Sequence, residues 1–264
     1  MPPDLGFWLA LIVKMAVTAV FVVAATATAE RAGAFVGALV ATLPIAAGPA
    51  YVFVALDHDA SFIAASALSS LAINAMTAIY ALTYATMAQR YGLAPSLLTG
   101  LAVWVALAAL VRTFEWSLLA ALLVNLAVIP VCVALGRRFR DVAMPLITRR
   151  WYDIPLRAAL AALQVATVVG LSTRVGPQVT GILAVFPIVL SSLALILQPR
   201  IGGKASAAVL ANTISGLAGF SLCLITLHLA AVPLGSPLAL TLALAVSIAA
   251  NVAIFLARRR GWPV

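Results

Sequence analysis

The sequence predicts an all-α integral membrane protein, and three observations lead to this fold class. Of the 264 residues, 65% are hydrophobic and only 9% are charged, whereas about 25% of the residues of an average soluble domain are charged. The apolar segments are about 18 to 27 residues long, and about 20 helical residues cross a hydrocarbon core. Short segments of alternating polarity, which are typical of outer-membrane barrels, are absent from the sequence. A helical bundle therefore follows, because backbone polar groups in lipid must be paired internally.

About nine transmembrane helices are predicted along the chain. Each helix is an apolar run that ends at a break containing polar residues, glycine or proline. The predicted helices cover residues 7–28, 33–56, 61–87, 93–111, 116–136, 153–172, 177–198, 205–231 and 237–257.

The distribution of basic residues predicts how these helices are oriented. The net charge of +9 comes from residues placed mainly in loops and at helix ends, a pattern that the positive-inside rule explains without any nucleic-acid partner. If the basic segment 137–150 is cytoplasmic, thirteen of the sixteen Lys and Arg residues lie on that side, and Lys14, Arg112 and Arg174 are the exceptions. We therefore expect a multi-pass protein of a bacterial inner membrane, with the N-terminus outside and the C-terminus cytoplasmic.

A repeat relates the two halves of the chain. Residues 30–45 match residues 173–188 without a gap, at an offset of 143. The identical pairs are Arg31 and Arg174, Gly33 and Gly176, Val36 and Val179, Ala41 and Ala184, Pro44 and Pro187, and Ile45 and Ile188. At the same offset Trp8 matches Trp151 and Lys14 aligns with Arg157.

The helix count turns this match into a predicted inverted repeat. Five helices precede the second copy, so it enters the membrane in the opposite direction. The prediction is a four-plus-one-plus-four arrangement, with repeats at 1–115 and 151–264 and a linker helix and basic loop at 116–150. Two halves of this kind are related by a pseudo-twofold axis in the membrane plane, as in many secondary transporters.

The second half resembles a known family. Residues 155–260 combine a basic or polar turn, a following glycine, an FPI triplet in the second helix and four helices in all. These features resemble GlpM, a small four-helix bacterial membrane protein, and the first half resembles it more loosely. The resemblance implies a fused, duplicated form of a four-helix unit, and it assigns no mechanism to particular residues.

Two prolines are the main candidates for marking a binding site. Pro44 and Pro187 lie near the centres of their predicted helices, where proline removes a backbone hydrogen bond and kinks or breaks the helix. The first copy adds Gly48 and Pro49, and the second adds Ser191 and Ser192. Interrupted helices at corresponding positions of two halves favour a transporter binding site. The alternative is a pair of kinks that only shape packing.

Four charged residues near the repeats are further candidates. Arg31 and Arg174 open the second helix of each copy, either as anion guides or as arginines that snorkel to headgroups. Lys14 lies about 10 Å inside the first helix, where it either faces a polar interior or reaches the outer surface. Glu30 is a candidate for coupling, with a loop ion pair as the simpler alternative. No carboxylate lies at the centre of a predicted helix.

The remaining polar residues are interpreted mainly as bonds between helices. Asn74 and Asn212 follow the proline-containing helices and either line a cavity or bond to neighbours, whereas Gln164 is expected only to bond across helices. The acidic and histidine turn at 57–59 is predicted to be a solvated loop. The sequence contains no HExxH, no GxSxG, no phosphate loop and no cysteine cluster, so we predict neither enzymatic activity nor a cofactor or metal.

The sequence thus favours an inner-membrane secondary transporter or lipid flippase that works by alternating access. Cationic residues outnumber acids near the repeated segments, which favours an anionic small molecule or lipid phosphate as substrate. The predicted partners are the lipid bilayer and this substrate, and no oligomeric state is predicted. The alternative is a non-transporting membrane subunit or scaffold of an envelope-biosynthesis complex, with the basic linker 137–150 as its docking segment.

Overall fold

A computed structural model describes residues 5–31, 45–140, 142, 145 and 150–259 of the chain. All regular secondary structure within these residues is helical. The helices are α1 (Leu5–Arg31), α2 (Ala47–Asp57), α3 (Ala60–Met87), α4 (Leu93–Val111), α5 (Leu118–Gly136), α6 (Asp153–Ala184), α7 (Ile188–Thr213), α8 (Gly216–Leu234) and α9 (Ser236–Arg259), with a 3-10 turn at Arg137–Phe139 after α5.

Seven helical segments of the described chain are long and apolar enough to cross a membrane. The structure therefore agrees with the coarse prediction of a helical, multi-pass membrane protein. Helices α3, α4 and α5 begin and end within two residues of their predicted bounds. Of the predicted helix 33–56, only the part from residue 45 onward is described, and Pro44 lies outside the described residues.

Two of the predicted helices in the second half are interrupted. The segment predicted at 177–198 breaks between Ala184 and Ile188, and the segment predicted at 205–231 breaks at residues 214–215. At the second break, Thr213 Oγ1 donates to the Leu210 carbonyl at 2.7 Å and Ser215 Oγ donates to the Asn212 carbonyl at 3.2 Å. Such side-chain bonds compete with the helical ladder, which explains an interruption that periodicity did not predict.

Two glycines turn the chain inside α6 and α7. Gly176 has φ of 74° and Gly202 has φ of 77°, a left-handed conformation that glycine adopts without the Cβ penalty of other residues. Beyond Gly176 the chain folds back, so that Gln164 contacts Leu183. The bends therefore act as short connections between successive membrane segments, close to where the sequence predicts them.

Helix α3 occupies the centre of the bundle. Of the 18 consecutive residues that form its most apolar stretch, 72% are buried in the protein. Its fully buried side chains include Asn74, Tyr80 and Tyr84. Residues of α4, α5, α6, α7 and α8 pack around it. Helix α1 lies outside this group, against α6.

The connections between helices gather at two ends of the bundle. At the first end, His58 bonds to Ser172 at 2.8 Å, and Gln178 donates to the Arg112 carbonyl at 3.2 Å. We call this the Asp57 end. At the second, the Asp153 end, Gln198 donates to the Tyr91 carbonyl at 3.1 Å. Alternate connections thus lie on opposite sides, as expected for a chain that crosses a membrane repeatedly.

Candidate functional site

The break before Pro187 is closed by a side chain from the preceding membrane segment. Proline has no N–H, and the last carbonyls of a helix have no partner within the helix itself. Here Nε2 of Gln164 donates to the carbonyls of Leu183, Ala184 and Phe186, at 3.2, 3.0 and 3.3 Å. Gln164 thereby caps the half-helix 177–184.

The two predicted serines lie in the first turn of α7, directly after the break. Ser191 Oγ donates to the Pro187 carbonyl at 2.7 Å and lies 3.0 Å from the hydroxyl of Tyr80. Ser192 Oγ donates to the Val189 carbonyl at 2.7 Å. Both serines are buried. Ser191 joins the start of α7 to Tyr80 of the central helix, and both serines bond to carbonyls at the start of α7.

The starts of α2 and α7 contact the same small buried cluster. Ile45, two residues before α2, and Ile188, the first residue of α7, pack against one small buried cluster. The cluster consists of Val22, Ala46, Ala158 and Ala161. Neither helix start has a side-chain cap, and Gly48 lies in the first turn of α2. Two helix N-termini without a side-chain cap therefore border the same small buried cluster.

From this shared point the two half-helices run to opposite ends of the bundle. Helix α2 ends at Asp57, whereas the first part of α7 carries Arg200 just before the turn at Gly202, at the Asp153 end. Each half-helix has between ten and fifteen residues, which corresponds to about 15 to 20 Å. The helix starts therefore lie deep within the membrane segment of the protein.

Two predicted cationic residues lie far from this point. Nζ of Lys14 forms an ion pair with Asp57 Oδ2 at 2.6 Å, at the far end of α2. Arg174 is exposed beside the turn at Gly176. Glu30 and Arg31 belong to the last turn of α1, and their side chains lie outside the described residues. Neither of these two described cations therefore lies at the break before Pro187.

The structure separates the two predicted asparagines. Asn74 is fully buried, and its Nδ2 contacts Asn125 Oδ1, the Leu217 carbonyl and Ser221 Oγ at 3.3, 3.0 and 2.9 Å. Asn212 is exposed and donates to the Ala208 carbonyl of its own helix at 2.9 Å. Asn74 is thus part of a network between α3, α5 and α8, while Asn212 lies apart from it.

The turn at 57–59 holds α3 in place. The Asp59 carboxylate accepts from the Phe62 N–H at 2.9 Å and from Ser61 Oγ at 3.0 Å, and these bonds lower the pKa of Asp59. His58 stacks on Phe62 with ring centroids 3.8 Å apart. Asp59 is therefore the N-cap of the central helix.

A second ion pair lies at the opposite end. Arg200 binds Asp153 through both terminal nitrogens, with Nη1 at 2.7 Å from Oδ2. The side chains are 11% and 12% exposed. Arg200 and Arg150 also contact Tyr152, whose pKa they lower because they stabilise its phenolate. This cluster fastens the start of α6 to α7.

The sequence predicted that Gln164 would bond across helices, and it does; it did not predict that these bonds cap the half-helix that ends before Pro187. The position of Gln164 one hairpin before Pro187 was the available signal, but the match between residues and carbonyls depends on the turn at Gly176. Comparisons with protein-family models, curated proteins and solved structures find no match to this chain.

Proposed function

We propose that the protein is an inner-membrane secondary transporter of a small anion or a lipid phosphate. The observation that carries this proposal is that the α2 and α7 starts pack on one small buried cluster. Each helix N-terminus carries roughly half a positive elementary charge and unpaired N–H groups. Two such ends at one point favour an anion there, and half-helices that meet near the bilayer centre are a common site architecture in secondary transporters.

The positions of the helix starts support the proposed inverted repeat. The offset of 143 aligns Ala60, the first residue of α3, with Gly203, which follows the Gly202 turn. It also aligns Gly92 with Gly235, each of which immediately precedes the last helix of its half. The correspondence therefore extends beyond the matching segment 30–45 to the third and fourth helices.

Contacts between equivalent residues give independent support. Residues related by a twofold axis touch each other only where both lie close to that axis. Asn74 donates to the carbonyl of Leu217, which is 143 residues further along the chain. Ile45 and Ile188, also separated by 143, pack on one cluster. The Asn74–Leu217 bond and the shared cluster of Ile45 and Ile188 are what a pseudo-twofold axis near α3, α8 and the two helix starts would produce.

We assign the two ion pairs as gates of the proposed alternating-access cycle. Lys14–Asp57 and Asp153–Arg200 lie at opposite ends, and the offset aligns Asp57 with Arg200. Lys14–Asp57 joins α1 to the end of α2. Asp153–Arg200 likewise joins the start of α6 to the end of the first part of α7. Opening one pair at a time would expose the helix starts to one side of the membrane. The N-terminus is then outside, because the arginine-rich segment 137–150 is taken as cytoplasmic.

Flux measurements with proline variants test the function. The protein is reconstituted in liposomes, and uptake of phosphate, sulfate, lactate and propionate is measured, together with the movement of fluorescent phosphatidylglycerol. Pro187→Ala, alone and combined with Pro44→Ala, restores a helical N–H and is expected to lower flux at least tenfold (about 1.4 kcal/mol). Pro130→Ala is the matched control, because Pro130 lies inside α5 on its exposed side.

Two results would overturn the transporter proposal. One is the absence of flux for every probe with the folded wild-type protein. The other is unchanged flux in folded Pro187→Ala. Co-purification of a stable envelope-biosynthesis partner in the absence of flux would favour the scaffold function instead.

A further inference from the structure

The orientation of the Gln164 amide is determined by its surroundings. Three carbonyl oxygens surround its nitrogen, so a flipped amide would place oxygen against oxygen. The Gln164 oxygen therefore points away from these carbonyls, about 2.2 Å from the nitrogen because both atoms are bonded to one carbon. Oε1 is buried in a residue that is 6% exposed, and no described residue donates to it.

An unpaired acceptor at this position has a physical cost. Membrane interiors lack water to replace the missing bond, so a buried unpaired polar group destabilises the folded protein. The three carbonyls need only N–H groups as partners. A glutamine also carries an acceptor, Oε1, which the bonds of Nε2 hold beside the break.

Backbone donors lie on the other side of the same break. In the first turn of α7, the described backbone bonds run from the Ile188 N–H to Phe186 and from the Ser191 N–H to Pro187. The N–H groups of Val189 and Leu190 have no described acceptor, as is usual for the first turn of a helix. Since the Phe186 carbonyl accepts from both Ile188 and Gln164, the Gln164 amide lies within two hydrogen bonds of this turn.

We propose that Gln164 Oε1 and the N–H groups of Val189 and Leu190 bind one ligand, a small oxyanion that carries its own O–H donor. The helix N-terminus binds the charged oxygens, and Oε1 accepts the ligand's hydrogen. Monohydrogen phosphate, phosphate monoesters in their monoanionic form and hydroxycarboxylates share this chemistry. This inference rests on the proposed transport function, whose substrate class it narrows.

The test compares pairs of similar anions of which one carries an O–H donor and the other does not. Binding of phosphate and sulfate, and of lactate and propionate, is measured by calorimetry on the purified full-length protein. Phosphate carries a proton near neutral pH and sulfate does not. A site that uses a hydrogen-bond acceptor rejects an analogue without the donor, so we expect at least tenfold tighter binding of phosphate than of sulfate, and of lactate than of propionate.

Gln164→Met removes the acceptor while retaining the length of the side chain. It is expected to weaken phosphate binding about tenfold, to leave sulfate binding within about twofold, and so to abolish the preference. Gln198→Met is the matched control. Gln198 is equally buried at 7% exposure, but both its polar atoms have partners, Tyr84 and Tyr91. This variant is expected to keep the preference.

The outcomes separate this inference from the proposed function. Equal binding of phosphate and sulfate by the wild type, with flux present, overturns the role of Gln164 and leaves transport intact. Absence of both binding and flux overturns the transporter itself. The wild-type comparison requires no variant, so it decides the question even if Gln164→Met does not fold. A folded Gln164→Met that retains the preference also overturns the proposal.

Discussion

Helices α1 and α3 are both long and apolar, but they occupy opposite environments. In the most apolar 18-residue stretch of each helix, 17% of the residues are buried in α1 and 72% in α3. Helix α1 exposes large side chains such as Leu9, Ile12 and Val20, whereas α3 buries Ser70 and Asn74. In lipid, apolar side chains lose nothing by facing outward, so small size and hydrogen bonding select the interior helix. Burial in this protein follows packing and polarity rather than hydrophobicity.

Close packing against α3 gives the largest expected change in the free energy of unfolding. A Cβ on Gly181 would overlap the backbone carbonyl of Ser66 on α3, which cannot move aside as a side chain can. We expect Gly181→Ala to destabilise the protein by about 3 kcal/mol, measured by denaturant unfolding in detergent. Gly170→Ala in the same helix is the control, because a Cβ at Gly170 meets nothing within 4 Å. Equal stability of the two variants would contradict close packing on α3.

Hydrogen bonding by α3 gives a smaller expected effect. Asn74→Leu removes bonds to α5 and α8 while keeping a side chain that branches at the same atom, and we expect a loss of about 1 to 2 kcal/mol in the same unfolding assay. Thr26→Val on α1 is the comparison, since among the described residues Thr26 Oγ1 bonds only to the Val22 carbonyl of its own helix. Its stability is expected to change by less than about 0.5 kcal/mol. A reversed order would refute the contrast between the two helices.

The ion pair that connects α1 to α2 is expected to contribute least to the free energy of unfolding. Asp57 is 37% exposed in its side chain, so the pair with Lys14 is partly screened. A double-mutant cycle of Asp57→Asn and Lys14→Met is expected to give a coupling of at most about 1 kcal/mol. The coupling should fall in 1 M salt. Coupling that is unchanged by salt would show that α1 is held by a desolvated charge pair.

Composition and segment length alone were sufficient to predict the membrane class and most helix bounds. The reason is that every stretch of about 20 apolar residues satisfies its own backbone in lipid as a helix. Proline chemistry likewise predicted the interruption at Pro187 locally, because the missing N–H is a property of one residue.

The tertiary structure decided which residues meet at that interruption. Gln164 reaches the carbonyls of the broken helix only because Gly176 reverses the chain, and Ile45 approaches Ile188 from a distant part of the sequence. Asn74 and Asn212 are equivalent in residue type and sequence context, but one is buried and the other is exposed. Helix rotation and packing set such differences, because they depend on the shapes of all neighbouring helices together.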